Sequence, residues 1–178
     1  LRRRHLEETA AASIERCLAL RDRSTVTWIN VNGLHEVEIV ERLGTEFGIH
    51  PLVLEDLLNP AQRPKLEDYD SHLFLVVKML SYDEARHDIA AEQVSLVLGP
   101  HWVLTFQEQG GDVFGPVRER LRANRGRLRK QGADYLLYAL LDAVIDNYFV
   151  VLERLDDRIE ALEDELTDSP RPATLGAI

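Results

Sequence analysis

Glu55 and Asp56 stand side by side just behind Pro51, and Asp142 and Asp146 interrupt an otherwise apolar stretch later in the chain. Carboxylates placed in this way can hold a hard divalent cation, because magnesium wants oxygen ligands and commonly takes one or two carboxylates while keeping several waters. Pro51 suits the first position of a helix, where a missing N–H costs nothing. A helix is therefore expected over residues 52–58, ending at Asn59-Pro60. Neighbouring helical side chains diverge by about 100°, so Glu55 and Asp56 are poorly set to chelate one ion together. They suit two nearby ions, or one ion completed by another element, in a groove against the long helix or between subunits. Two plainer readings stand beside this one. Adjacent acids on a short helix are commonly just solvated, and Asp142 and Asp146, whose apolar flanks imply partial burial, would equally accept an arginine partner.

Other chemistry is missing from the sequence. There is no G-x-S-x-G, no phosphate-binding P-loop, no H-E-x-x-H and no C-x-x-C. The six histidines never fall four apart on one predicted helix, so surface or capping roles outweigh zinc ligation. The single cysteine, Cys17, excludes a disulfide framework and fits a reducing compartment. An enzyme is not expected. The basic cluster of Arg118, Arg120, Arg122, Arg125, Arg127, Arg129 and Lys130 has no interleaved aromatics, so it reads as a solvated helix neutralising the acidic long helix, in this chain or a neighbour, rather than as a phosphate site.

Charge narrows the partners. The formal net charge is −10, and most of it lies between Asp142 and Asp168, where ten acidic residues face only Arg154 and Arg158. A nucleic-acid binder needs a basic surface to displace counterions, so that class is excluded. A local acidic field draws cations or a basic partner. Residues 135–152 approach the hydropathy of a membrane helix, but Asp142 and Asp146 near the centre would each cost about 2.5–3.5 kcal/mol there. A protein-facing helix is expected instead. The first residue is Leu1 and the last Ile178, without a secretion signal at one end or a natural close at the other, which reads as an excised fragment.

The positioning elements follow from periodicity. Residues 6–20 read as a short amphipathic helix and 25–31 as a β-branched strand ending at Asn32-Gly33. Val37, Val40, Leu43 and Phe47 recur at helical spacing, and Gly48 stops the helix. Residues 73–77 form an apolar run of the kind covered on both faces. Residues 94–98 and 102–106 alternate across Gly99-Pro100-His101, a hairpin. Phe114, Val117 and Leu121 imply a further helix, and from Gly132 to Leu166 apolar residues step by threes and fours. About 35 residues make a helix roughly 50 Å long, longer than the body it leaves. The expected fold is α/β: a mixed sheet sandwiched by helices, followed by a long projecting acidic helix. Residues 1–131 would form the α/β domain, 132–168 the helix, and 169–178 the start of a truncated element.

The motifs themselves carry a family resemblance. His50-Pro51-Leu52-Val53-Leu54-Glu55-Asp56, then Leu57-Leu58-Asn59 and Gln62-Arg63-Pro64-Lys65, resemble the CorA family of magnesium and cobalt channels. So do Glu92-Gln93-Val94-Ser95, Gly111-Asp112-Val113-Phe114, Pro116 to Arg120, and Asp134-Tyr135-Leu136-Leu137-Tyr138 with Asp142 and Tyr148-Phe149. The match runs in one order from about Trp28 to Leu166.

The resemblance implies a homopentamer with a cytoplasmic α/β domain and two membrane helices lying beyond Ile178. It implies that magnesium (or cobalt) bound between cytoplasmic domains holds the channel closed. Its regulatory carboxylates fall on Glu55, Asp56 and Asp142, with Asp146 as a possible addition, and a further aspartate comes from a neighbour's stalk helix outside this sequence. The Gly-Met-Asn pore signature is absent, and the family's opening strand is cut short. Contact with the membrane would run only through the missing helices of a cell-membrane protein, leaving this part on the cytoplasmic side. A zinc-transporting relative and a free-standing metal-binding scaffold remain as alternatives.

Overall fold

In a computed structural model the chain is described over residues 5–9 and 13–168. The elements are α1 (Ile14–Leu18), β1 (Thr27–Asn32), α2 (Val37–Phe47), α3 (Pro51–Leu58), β2 (Lys65–Tyr69), β3 (His72–Asp83), β4 (Asp88–Leu98), β5 (Trp102–Gln107), α4 (Gly115–Arg122) and α5 (Ala133–Asp168). The five strands form one mixed sheet in the order β1-β5-β4-β3-β2, with β1 parallel to β5 and the other pairs antiparallel.

Strand alternation builds a separate core on each face. Ile29, Phe74, Val76, Val97, Leu104 and Phe106 point to the face covered by α2 and α3. Val94, Leu96 and Val103 point to the face covered by α4 and α5. The helices supply the matching stripes. Val40, Leu43 and Phe47 of α2 join Val53 and Leu57 of α3 on the first side, and Leu136, Leu137, Leu140 and Val144 of α5 cover the second. This is the sandwich expected of an α/β body.

The predicted local signals are met at several joints. Gly48 ends α2 in the left-handed region at φ 67°. His50 caps α3, accepting on Nδ1 from the Leu52 N–H at 3.2 Å, and Pro51 takes the first turn. The β4–β5 hairpin turns across Gly99, where an added Cβ would lie 2.2 Å from the Trp102 ring. That indole is buried and stacks edge-on against Phe47 at 4.9 Å, so it has no room to yield. Gly99→Ala is expected to cost about 1–3 kcal/mol by overpacking, read as a lowered urea midpoint at unchanged slope.

Other expectations are revised. The first helix is only the five residues Ile14–Leu18 among those described, not 6–20. The apolar run 73–77 is covered on both faces as expected, Phe74 and Val76 in one core and Leu75 and Val77 against the other, but it belongs to a longer strand that pairs with β4 up to Asp83–Asp88. Strand β2 was not anticipated. Its sequence, Lys-Leu-Glu-Asp-Tyr, is polar because it is an edge strand, and Leu66 on it is exposed. Within the chain, two members of the arginine cluster pair elsewhere than on α5: Arg118 with Asp112 and Arg122 with Glu8.

Candidate cation site

Helix α3 carries Glu55 and Asp56 over the outer half of the sheet. Its apolar side, Val53 and Leu57, is fully buried, which turns Asp56 toward the sheet margin and Glu55 into solvent. The C-terminal turn of the helix is tied down from below. The Gln93 side chain, itself buried, donates from Nε2 to the backbone oxygens of Asp56 at 3.3 Å and Asn59 at 3.2 Å.

The side chain of Asp56 is held by β2. Residues two apart on a strand share a face, so Lys65, Glu67 and Tyr69 all rise on the α3 side. Lys65 Nζ donates to Asp56 Oδ2 at 2.6 Å and to Glu67 Oε1 at 2.8 Å. Tyr69 OH donates to Glu67 Oε2 at 3.1 Å, and its ring stacks between His50 and His72 at 5.2 and 4.9 Å. The Lys65 ammonium also sits 5.5 Å over the Phe74 ring. Glu67 is held below the usual carboxylate range by the Lys65 hydrogen bond, helped by Tyr69 against partial desolvation. Burial pulls Lys65 down, but its two carboxylate partners outweigh this and leave it raised.

Asp142 lies elsewhere. It is on α5, in the layer across the sheet from α3, so the expected groove between the two helices does not form within one chain. Leu140, Val144 and Val151 of α5 are buried, and the hydroxyl of Tyr148 donates to the Lys78 carbonyl. At 3.6 residues per turn Asp142 faces away from that side. It falls on a second stripe, Tyr138, Asp142, Ile145, Phe149, Leu152, Asp156 and Ile159, which advances by alternate fours and threes. The five apolar members of that stripe are between 46% and 62% exposed, whereas Asp142 is half-buried and Asp146 exposed. Helix α5 is long and apolar enough, by length and composition, to cross a membrane. Its inner stripe is occupied by the sheet, as a protein-facing helix requires.

No three His, Cys, Asp or Glu side chains converge into a metal cluster among the described residues. Glu55, Asp56, Asp142 and Asp146 are therefore not brought together in the single chain. Nor does the single chain supply an arginine partner: among the described residues neither Asp142 nor Asp146 has an ion-pair partner within the chain. What the chain presents is two separate sets of carboxylate oxygens, a donor type suited to hard divalent ions. Sequence reasoning missed Lys65, Glu67 and Gln93 as neighbours of Asp56. The signal was the period-two placement of Lys65, Glu67 and Tyr69, legible only once 65–69 is recognised as a strand.

A family model described as "CorA-like Mg2+ transporter protein" matches residues 23–178. The chain belongs to this family. The CorA-like chain is 53% identical over 168 residues to the cobalt/magnesium transport protein CorA of Thermotoga maritima, a match covering 94% of this chain and 48% of that protein. It is 31% identical over 137 residues to the putative metal ion transporter YfjQ of Bacillus subtilis, covering 77% and 41%. The soluble domain of CorA from Methanocaldococcus jannaschii superposes with a TM-score of 0.68 at 21% identity, over 84% of this chain and 59% of that one. At that identity the likeness speaks for the fold, and it agrees with the mixed sheet and long helix. The CorA-like chain spans about half the length of the curated relatives it matches.

Proposed function

We propose that this chain is the divalent-cation-sensing part of a CorA-type magnesium/cobalt transport protein, on the cytoplasmic side of the cell membrane. Glu55, Asp56 and Asp142, with Asp146 as an addition, would bind Mg2+ or Co2+ between subunits of a homopentamer. The observation that carries the reading is the place of Asp142: a carboxylate set in a heptad-spaced apolar stripe that is exposed in the single chain. Such a stripe is suited to packing on another helix, and a carboxylate drawn into that contact needs a counter-charge. A divalent ion supplies it and turns repulsion between facing carboxylates into attraction. Because the ion would bind the packed, closed arrangement better, its occupancy shifts the population toward closure by its differential affinity. An ion site split between subunits stays weak and wet, and so empties when cellular magnesium falls. The function of the whole protein would be ion transport, not catalysis.

The test is calorimetric titration of magnesium into the full-length oligomer, beside Asp56→Ala, Glu55→Ala and Asp142→Ala. Loss of one carboxylate is expected to weaken binding roughly tenfold, and to shift closure to higher magnesium while thermal unfolding stays unchanged. Wild-type affinity and wild-type closure in all three variants would overturn the assignment.

A further inference from the structure

The contact between Asp56 and Lys65 bears on how the proposed sensing site would be tuned, and the inference rests on that reading. We propose that Lys65 is a tethered counter-cation that competes with the divalent ion for Asp56 and so sets the ion concentration at which the site fills.

The geometry is that of a lysine with two homes. Nζ is 2.6 Å from Asp56 Oδ2 and 2.8 Å from Glu67 Oε1. The Lys65 and Asp56 side chains are 25% and 18% exposed, and Glu67 is 36% exposed. The Asp56 contact is thus partly shielded from water, where an ion pair is screened less than on an open surface. A divalent ion approaching Asp56 meets a carboxylate already facing an ammonium, and must displace it or share the charge with it. Displacement does not strand Lys65. Its second partner, Glu67, stays in place, oriented by Tyr69 OH, and the Phe74 ring lies beneath the ammonium. Leaving a charge buried and unpaired is the costly outcome in such an exchange, and Glu67 averts it.

The surroundings also keep the exchange local. Gln93 fixes the backbone of Asp56 and Asn59, and His50, capping α3 at its other end, stacks on Tyr69. Helix α3 and strand β2 are thus held in register while the ammonium passes from two carboxylates to one. In the empty state Lys65 is shared by Asp56 and Glu67. In the filled state it belongs to Glu67, and Asp56 belongs to the ion. The apparent affinity for the ion is lowered by the free energy of the contact given up. A sensor that must empty in the cell uses such a competitor to hold its affinity down.

Two variants are expected to move affinity in opposite directions, which a general structural lesion would not do. Lys65→Met keeps the stem and removes the competitor, so magnesium binding to the full-length oligomer should tighten roughly fivefold. Glu67→Gln removes the second home, so Lys65 stays on Asp56 and binding should weaken by about the same factor. Both would be measured by calorimetry with magnesium chloride at fixed ionic strength, beside Asp56→Ala, with thermal unfolding of each variant as the control for folding. If Asp56→Ala loses binding while Lys65→Met binds as wild type or more weakly, the competition is wrong and the sensing site stands. If Asp56→Ala binds as wild type, both readings fall.

Discussion

Phe74→Ala is expected to cost the domain about 3–5 kcal/mol, the range for truncating a buried aromatic that leaves a cavity. Phe74 is wholly buried on β3, between the α2–α3 layer and the sheet. Its strand is hydrogen-bonded on both sides, to β2 and to β4, so the backbone cannot collapse into the space. The loss should show as a lowered urea midpoint with little change in slope. A second consequence follows from position. The ring lies 5.5 Å beneath the Lys65 ammonium, so its removal takes away the floor of the Asp56–Lys65–Glu67 group. Phe74→Leu, which refills most of the volume, should recover most of the stability. A loss below about 1 kcal/mol in Phe74→Ala would mean that the core relaxes around the gap.

The second large effect belongs to Asp112, on the other side of the sheet. Its carboxylate, 6% exposed, accepts from both terminal nitrogens of Arg118 at 2.5 and 2.6 Å and from the Phe114 N–H at 2.9 Å. Asn30 adds a bond at 3.3 Å, and Arg118 stacks over Trp28 at 5.0 Å. Together these tie the start of α4 to β1. Burial tends to raise the Asp112 pKa, but the Arg118 and Phe114 bonds outweigh it and hold it below the ordinary value of 3.8.

A carboxylate whose folded pKa is depressed contributes stability that is fully present above its unfolded pKa. That stability is lost as pH falls through the folded value. Asp112→Ala, which leaves Arg118 without this partner, is expected to cost about 3 kcal/mol at neutral pH. For Asp112→Asn the gap from wild type should be widest at neutral pH and narrow below about pH 4 as the wild-type carboxylate protonates. Urea unfolding of both proteins across that range checks the sign. A gap that stays constant from neutral pH down to pH 2 would show that the pair contributes by shape and not by charge.

Much of the architecture follows from local rules that act within a few residues. Pro51 behind His50 starts α3, Gly48 ends α2, and Gly99-Pro100-His101 turns β4 into β5, because helix starts, helix stops and tight turns are short-range steric facts. The length of α5 was legible for a similar reason: threes and fours sustained over many turns have no other regular solution. Strand β2 escaped notice because an edge strand with one open side needs no apolar alternation, so Lys65–Tyr69 resembles a loop. The short α1 escaped in the opposite sense, since an amphipathic pattern overstated how far the helix runs.

The carboxylates divide along the same line. Their types and the divergence of Glu55 from Asp56 on one helix were determined by the sequence alone, because helical geometry is fixed by the backbone. Which layer each helix occupies was not. Placing α3 on one face of the sheet and α5 on the other is decided by which apolar stripes meet across strands far apart in the chain. That choice separates Asp142 from Asp56 and leaves Asp142 on an outward apolar stripe. It also brings Lys65 and Glu67, on a strand that pairs with β3, up to Asp56. Charge and residue type are properties of single positions, but a counter-ion's identity depends on packing between elements. Only the tertiary structure could supply Lys65 as the partner of Asp56.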